Sequence, residues 1–254
     1  MFHHYLCLCF LRFFYLYIQI LTMNSLFTKI NTLIFLLVVS LTLQAQTNNS
    51  IDFNYIDTLK QLNTSILTKP NFDAYFNRGI LMLRTSEFTG AVRDFSEAIN
   101  FNNNNKEVYC LRGKAYSQIG ESKKALDDFN NVILLDSTNA EYFLYRGAAK
   151  KALGDYTGAI EDNNKAIFLN DTFAEAYNNR GLCKYYTTDD IGALEDFTKA
   201  IALKEDFADA YNNRGNCKFY GGNDDEACAD WQKAVTLGNT SALKSISNYC
   251  TKKD

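Results

Sequence analysis

Ala174-Glu175-Ala176-Tyr177-Asn178-Asn179-Arg180-Gly181 returns almost unchanged as Ala208-Asp209-Ala210-Tyr211-Asn212-Asn213-Arg214-Gly215. The two glycines stand 34 residues apart, and the same step taken backwards finds Arg146-Gly147, Arg112-Gly113 and Arg78-Gly79. Arg-Gly doublets at one interval, with no insertion between them, mark an internal repeat. A period of this size settles the fold before any local pattern is weighed.

The repeats run 72–105, 106–139, 140–173, 174–207 and 208–241. In the third, Ala140 to Leu153 is one helical block, Gly154-Asp155 a turn, and Tyr156 to Leu169 a second block. Two helices of ordinary length with short turns fill the period. The columns have physical reasons. The fourth place is aromatic (Tyr75, Tyr109, Phe143, Tyr177, Tyr211) and plugs the space between helices. Glycine at the eighth place admits a second backbone, at roughly 1 kcal/mol of helix propensity. Alanine at the twentieth (Ala91, Ala125, Ala159, Ala193, Ala227) allows the same closeness from the other helix. Arginine is constant at the seventh place and aspartate at the twenty-third, at comparable heights in an antiparallel helix pair. This predicts Arg78–Asp94, Arg112–Asp128, Arg146–Asp162, Arg180–Asp196 and Arg214–Asp230 as structural ion pairs. A bidentate guanidinium–carboxylate pair would fix the rotation of one helix on the other.

These columns resemble those of the tetratricopeptide repeat family over residues 72–241. The resemblance implies an all-α fold: a right-handed superhelical solenoid of five 34-residue helix-turn-helix repeats with a C-terminal capping helix. Departures are the arginine in a place usually held by leucine, the missing closing proline, and Asn163 in a column of Phe95, Phe129, Phe197 and Trp231. Asn163 marks a softer joint. Residues 46–71 read as a linker and an N-terminal capping helix, with Ile56, Leu59, Leu62 and Ile66 at helical spacing. Ser241 to Cys250 reads as one more amphipathic helix, a lid over the last apolar face of the stack. The closing unit from Cys228 to Cys250 also resembles that of exported bacterial repeat proteins.

The first 45 residues differ from the rest. They hold only Arg12 and Lys29 as charges besides two histidines, and no acid. Met23 to Lys29, the apolar Ile30 to Leu43 and then Leu43-Gln44-Ala45 have the layout of a secretory signal cleaved before Gln46. On this view translation starts at Met23, and residues 1–22 lie upstream of it. The alternative is a membrane anchor through Tyr5 to Leu21, against which Arg12 counts by about 3 kcal/mol. The expected location is the periplasm, with a membrane association only if the leader is kept.

Removing Arg12 and Lys29 from the 26 basic residues leaves 24 against 29 acids, a charge of −5. Nucleic acid asks for a clustered basic face, so it is not an expected partner. His3 and His4 both belong to the leader. Their loss removes histidine-based nucleophilic catalysis and imidazole metal sites. No metal, cofactor or catalytic residue is assigned.

Five cysteines follow the leader: Cys110, Cys183, Cys217, Cys228 and Cys250. Cys183 and Cys217 are repeat-equivalent, and stacked helices about 8–10 Å apart exceed the ~7 Å Cα separation that a disulfide tolerates. Cys228 and Cys250 are better placed, joining the last repeat to its lid, although two free thiols also fit the sequence.

The family binds peptides or helices on the concave face of its first helices. The second place there is acidic throughout (Asp73, Glu107, Glu141, Glu175, Asp209), so the basic clamp for acidic chaperone tails is missing. Asn178, Asn179, Asn212, Asn213 and Asn216 instead form an amide strip, with Tyr185, Tyr186, Phe219 and Tyr220 further along. Asparagine can donate to and accept from a peptide backbone at once, and tyrosine gives broad contact at small entropy cost. The expected function is a non-catalytic interaction scaffold of the bacterial envelope that binds a peptide or partner helix. The alternatives are a membrane-tethered assembly factor and a subunit of an envelope hydrolase.

Overall fold

A computed structural model of the chain describes residues 55–250. The leader, its cleavage point and residues 251–254 lie outside the described residues. The chain divides into two compact units, and every repeat belongs to Leu62–Asp254. Of the other, Met1–Gln61, residues 55–61 are described and are helical. All regular structure among the described residues is helical.

Helix α1 covers residues 55–68. The repeats follow as the pairs α2 (Phe72–Arg84) with α3 (Phe88–Phe101), α4 (Lys106–Gln118) with α5 (Ser122–Leu135), and α6 (Ala140–Ala152) with α7 (Tyr156–Leu169). The last two pairs are α8 (Ala174–Tyr186) with α9 (Asp190–Leu203) and α10 (Ala208–Tyr220) with α11 (Asp224–Thr236). Each second helix packs on its own first helix and, except for α11, on the first helix of the next repeat. First helices also approach their equivalents one repeat on, more closely than second helices do. They therefore line the shorter, inner side of the stack. The protein is an all-α helical repeat solenoid.

The helix starts follow from local chemistry. Asn71, Asn105 and Asn139 turn their side-chain oxygens onto the free amides of the first turn, and Asp155 and Asp189 do the same for two second helices. Such caps contribute about 1 kcal/mol each. The acidic second-place residues sit in the same first turns, where the positive end of the helix dipole favours them. Two of them also reach across to the end of their own unit: Glu175 pairs with Lys204 at 3.1 Å, and Asp209 accepts from Asn239 at 2.7 Å.

Inside each pair the alanine column is fully buried, with 0% exposure at Ala91, Ala125, Ala159, Ala193 and Ala227. The eighth-place glycines face the large ring of the second helix. A Cβ on Gly215 would lie 2.8 Å from Trp231 Cδ1 and 3.2 Å from the Ala227 carbonyl oxygen, too close for either to yield cheaply. In the third repeat the facing side chain is Asn163, buried at 0%. Its amide donates to the Ala159 carbonyl at 2.8 Å, and its oxygen has no partner among the described residues. An unsatisfied buried acceptor costs about 1–3 kcal/mol.

The turn inside each repeat needs one left-handed residue. Gly120, Gly154 and Gly222 fill it at φ between 78 and 83°, but Ser86 and Thr188 hold φ of 61 and 65°. A β-branched side chain is strained there by about 1–2 kcal/mol. Thr188→Gly is expected to stabilise the protein by about 1 kcal/mol in urea unfolding, after the entropy that glycine adds to the unfolded chain. No gain, or a loss, would show that the turn is not strained.

After Gly238 the single amphipathic helix expected over 241–250 is not found in that form. Four residues of α-helix, α12 (Ala242–Ser245), run directly into a π turn, Ile246–Cys250. The wider turn lets Tyr249 cover the Phe219 ring, with centroids 4.2 Å apart, while Cys250 meets Cys228 in a disulfide. The lid is short because the bond and the rings hold it.

Candidate functional site

The arginine column is an architectural device with three arms. In every repeat its Nε and Nη2 donate to the two carboxylate oxygens of the aspartate sixteen residues on, at 2.6–2.9 Å. The remaining Nη1 reaches back to the element before it. Its acceptors are Asn63 (2.7 Å), Ser96 (3.0 Å), Asn130 (3.2 Å), Asn164 (2.7 Å) and Thr198 (3.4 Å). Each guanidinium also lies over the fourth-place ring of its own helix, 5.3–5.8 Å from the centroid. In the last three repeats Lys150, Lys184 and Lys218 join the same aspartates at 2.9–3.0 Å. The aspartates are buried, and hydrogen bonds to them hold the Arg78, Arg180 and Arg214 guanidinia above their usual pKa. Each of these five carboxylates is held by two guanidinium hydrogen bonds from its own unit.

The amides of the strip differ in their surroundings. Asn178 is buried, and its oxygen accepts from the Asn213 amide of the next repeat at 3.0 Å. That bond ties α8 to α10 and places the Asn178 side chain in the joint between them, while Asn213 is half-buried and keeps its own oxygen. Asn216 accepts from the Trp231 indole N–H at 2.9 Å, which leaves its NH2 without that bond. Asn179 lies 3.4 Å from the Lys151 ammonium. Asn212 is half-buried and is the member of the strip left with an accessible side chain and no hydrogen bond among the described residues. Sequence spacing places these amides on one face but cannot say which of them the neighbouring repeat consumes.

The aromatic residues, by contrast, are brought together. Tyr156 stacks on Tyr186 (4.9 Å), Tyr186 meets Tyr185 (5.9 Å), and Tyr185 meets Tyr220 (6.2 Å). The row continues through Phe219 (5.6 Å from Tyr220) to Trp231 and Tyr249. Tyr186 and Tyr220 remain 54% and 73% exposed, so the row presents flat apolar surface at the C-terminal ends of two first helices. Phe219 does not, because Tyr249 covers it. At the end of the row a cavity of about 290 Å³ opens beneath the lid. Tyr185, Phe219, Tyr220, Trp231 and Tyr249 wall it, and Asn216, Lys244, Ser245 and Asn248 supply its polar rim. Trp231, Tyr249 and the three lid residues of the rim are absent from the sequence-based site. The unrepeated aromatic Tyr249, one residue before a cysteine, was the signal available for them.

Cys110, Cys183 and Cys217 are free and buried. Burial pushes the Cys183 thiol up to about 11, so it is protonated and inert at neutral pH.

The family model for the tetratricopeptide repeat matches residues 106–139, the second repeat. No curated protein matches the sequence. Similar solved structures include MamA, at 29% identity, covering 65% of this chain and 96% of that one with a TM-score of 0.57. YrrB, described as a TPR protein with an unusual peptide-binding site, shares 22% identity over 73% of this chain and 97% of its own, with a TM-score of 0.57. TTC0263, a thermophilic TPR protein from Thermus thermophilus, shares 18% identity over 71% of this chain and 97% of its own, with a TM-score of 0.58. The latter two speak to the fold alone. With the 34-residue period and the helix pairs, they agree on one conclusion: this chain has the fold of tetratricopeptide-repeat proteins and carries, at residues 106–139, a repeat that matches the family.

Proposed function

We propose that the protein is a non-catalytic protein–protein interaction scaffold of the bacterial envelope, holding a peptide or partner helix along the inner face of its last two repeats. The exposed aromatic row from Tyr156 to Tyr220 carries this reading. Monomeric proteins seldom leave adjacent rings this open unless a partner covers them. The fold supports it, as does the peptide-binding site described for YrrB. The column aspartates are each paired with an arginine of the same unit, which assigns these carboxylates to architecture. An envelope location is supported by the signal-like leader together with the Cys228–Cys250 disulfide, a bond of oxidising compartments. Among the described residues no helix is long and apolar enough to cross a membrane.

Crosslinking in the native envelope, then identification and purification of the captured protein, gives the partner against which the face can be tested. Tyr186→Ser with Asn212→Ala is expected to weaken its binding about tenfold, as loss of one aromatic anchor does, while the melting temperature holds within a few degrees. Unchanged binding would remove this face from the interaction.

A further inference from the structure

We infer that the cavity beneath the C-terminal lid recognises an aromatic or large aliphatic side chain flanked by an acidic residue in an extended peptide, and that the Cys228–Cys250 disulfide assembles it. This rests on the scaffold reading and names the chemistry of its partner.

The walls define the first half of the ligand. Rings from Tyr185, Phe219, Tyr220, Trp231 and Tyr249 enclose about 290 Å³, at the low end of ligand cavities and enough for one large side chain. The rim defines the second half. An indole N–H can only donate, so the Trp231 contact occupies the Asn216 oxygen and leaves the NH2 of this lining residue as a donor. Lys244 is the one charged residue in the lining, and its ammonium makes no ion pair among the described residues. No carboxylate lines the cavity. Ser245 and Asn248 can donate or accept. A rim with surplus donors and one unneutralised cation is complementary to a ligand that brings acceptors and negative charge. The cavity opens at the end of the first-helix face, so the occupant comes from the interior of an extended segment lying along that face.

The disulfide supplies the roof. Lys244, Ser245, Asn248 and Tyr249 all lie in the nine residues of α12 and its π turn, far below the length at which a helix stands alone. Ala242 and Ile246 pack on the Trp231 cluster, and Cys250 is bonded to Cys228 of α11. Cutting that bond frees the end that carries Tyr249, and the cavity loses a wall and its rim. The helix pairs of the earlier repeats do not touch it. Peptide binding thus becomes conditional on oxidation.

The test uses the protein purified in its oxidised form and fluorescent, C-terminally amidated peptides in which Phe-Asp interrupts a Gly/Ser chain. Binding of Phe-Asp is expected. Changing the peptide to Phe-Asn, or the protein to Lys244→Glu, should weaken it about tenfold. Reduction by dithiothreitol, or Cys228→Ser with Cys250→Ser, should weaken it at least tenfold while far-UV helicity persists. Equal binding of Phe-Asn, indifference to Lys244→Glu or to reduction, binding that requires a free C-terminus, or no binding at all would each overturn the inference. A crosslinked partner that Lys244→Glu still holds normally, and that Tyr186→Ser with Asn212→Ala releases, would overturn it while leaving the scaffold reading intact.

Discussion

Asp196→Ala is expected to cost the protein about 4 kcal/mol, the penalty for stranding the cationic half of a buried ion pair. The carboxylate side chain is 5% exposed and holds Arg180 Nε at 2.8 Å, Arg180 Nη2 at 2.6 Å and the Lys184 ammonium at 2.9 Å. Its removal leaves two cations facing each other with no counter-charge, at 19% and 20% side-chain exposure. Urea unfolding followed by circular dichroism measures the loss. The double variant Arg180→Met with Asp196→Leu should recover most of it, because replacing both members of a buried pair by apolar groups is often close to neutral. A loss below about 1 kcal/mol for Asp196→Ala would mean that the pair behaves like a solvated surface contact.

Replacing both Cys228 and Cys250 by serine should cost about 3 kcal/mol, the loop entropy of a bond spanning 22 residues. The loss should be local. In a solenoid each unit contacts only its neighbours, so the lid and α11 open first and the pairs α2/α3 to α6/α7 keep their stability. Amide hydrogen exchange resolves this. Residues 242–250 should lose protection, Trp231 fluorescence should shift toward that of a solvated indole, and amides of the second repeat should exchange as before. Uniform loss of protection along the stack would contradict a local role for the bond.

The chain states its fold openly because a repeat writes each contact several times. Arg180 and Asp196 could be paired from sequence since both columns are constant, and the alanine column speaks just as plainly. The backward arm of the arginine was harder to see. Its acceptors are Asn63, Ser96, Asn130, Asn164 and Thr198, a column held together by hydrogen-bonding capacity and not by residue identity. The candidate site was legible only in part. Tyr185, Tyr186 and Tyr220 stand where the aromatic row is found, but Asn178 and Asn213 turned toward each other across a joint. Whether an amide faces a ligand or the next repeat depends on how the units are rotated, which spacing alone does not carry. The cavity lies further still from sequence reasoning, because Lys244 and Tyr249 occur once and have no column to announce them.

The third arm of each arginine points one way. Arg112 reaches Ser96, Arg146 reaches Asn130, Arg180 reaches Asn164, and none donates to a unit that follows it. A polypeptide is made from its N-terminus, and early segments fold while later ones are still being synthesised. Each new repeat therefore arrives at an acceptor that already exists, and it leaves its own side chain at the twenty-fifth place ready for the next arginine. The contacts thus suit a stack that grows with the direction of synthesis, and the disulfide ties residues made near its end back to α11.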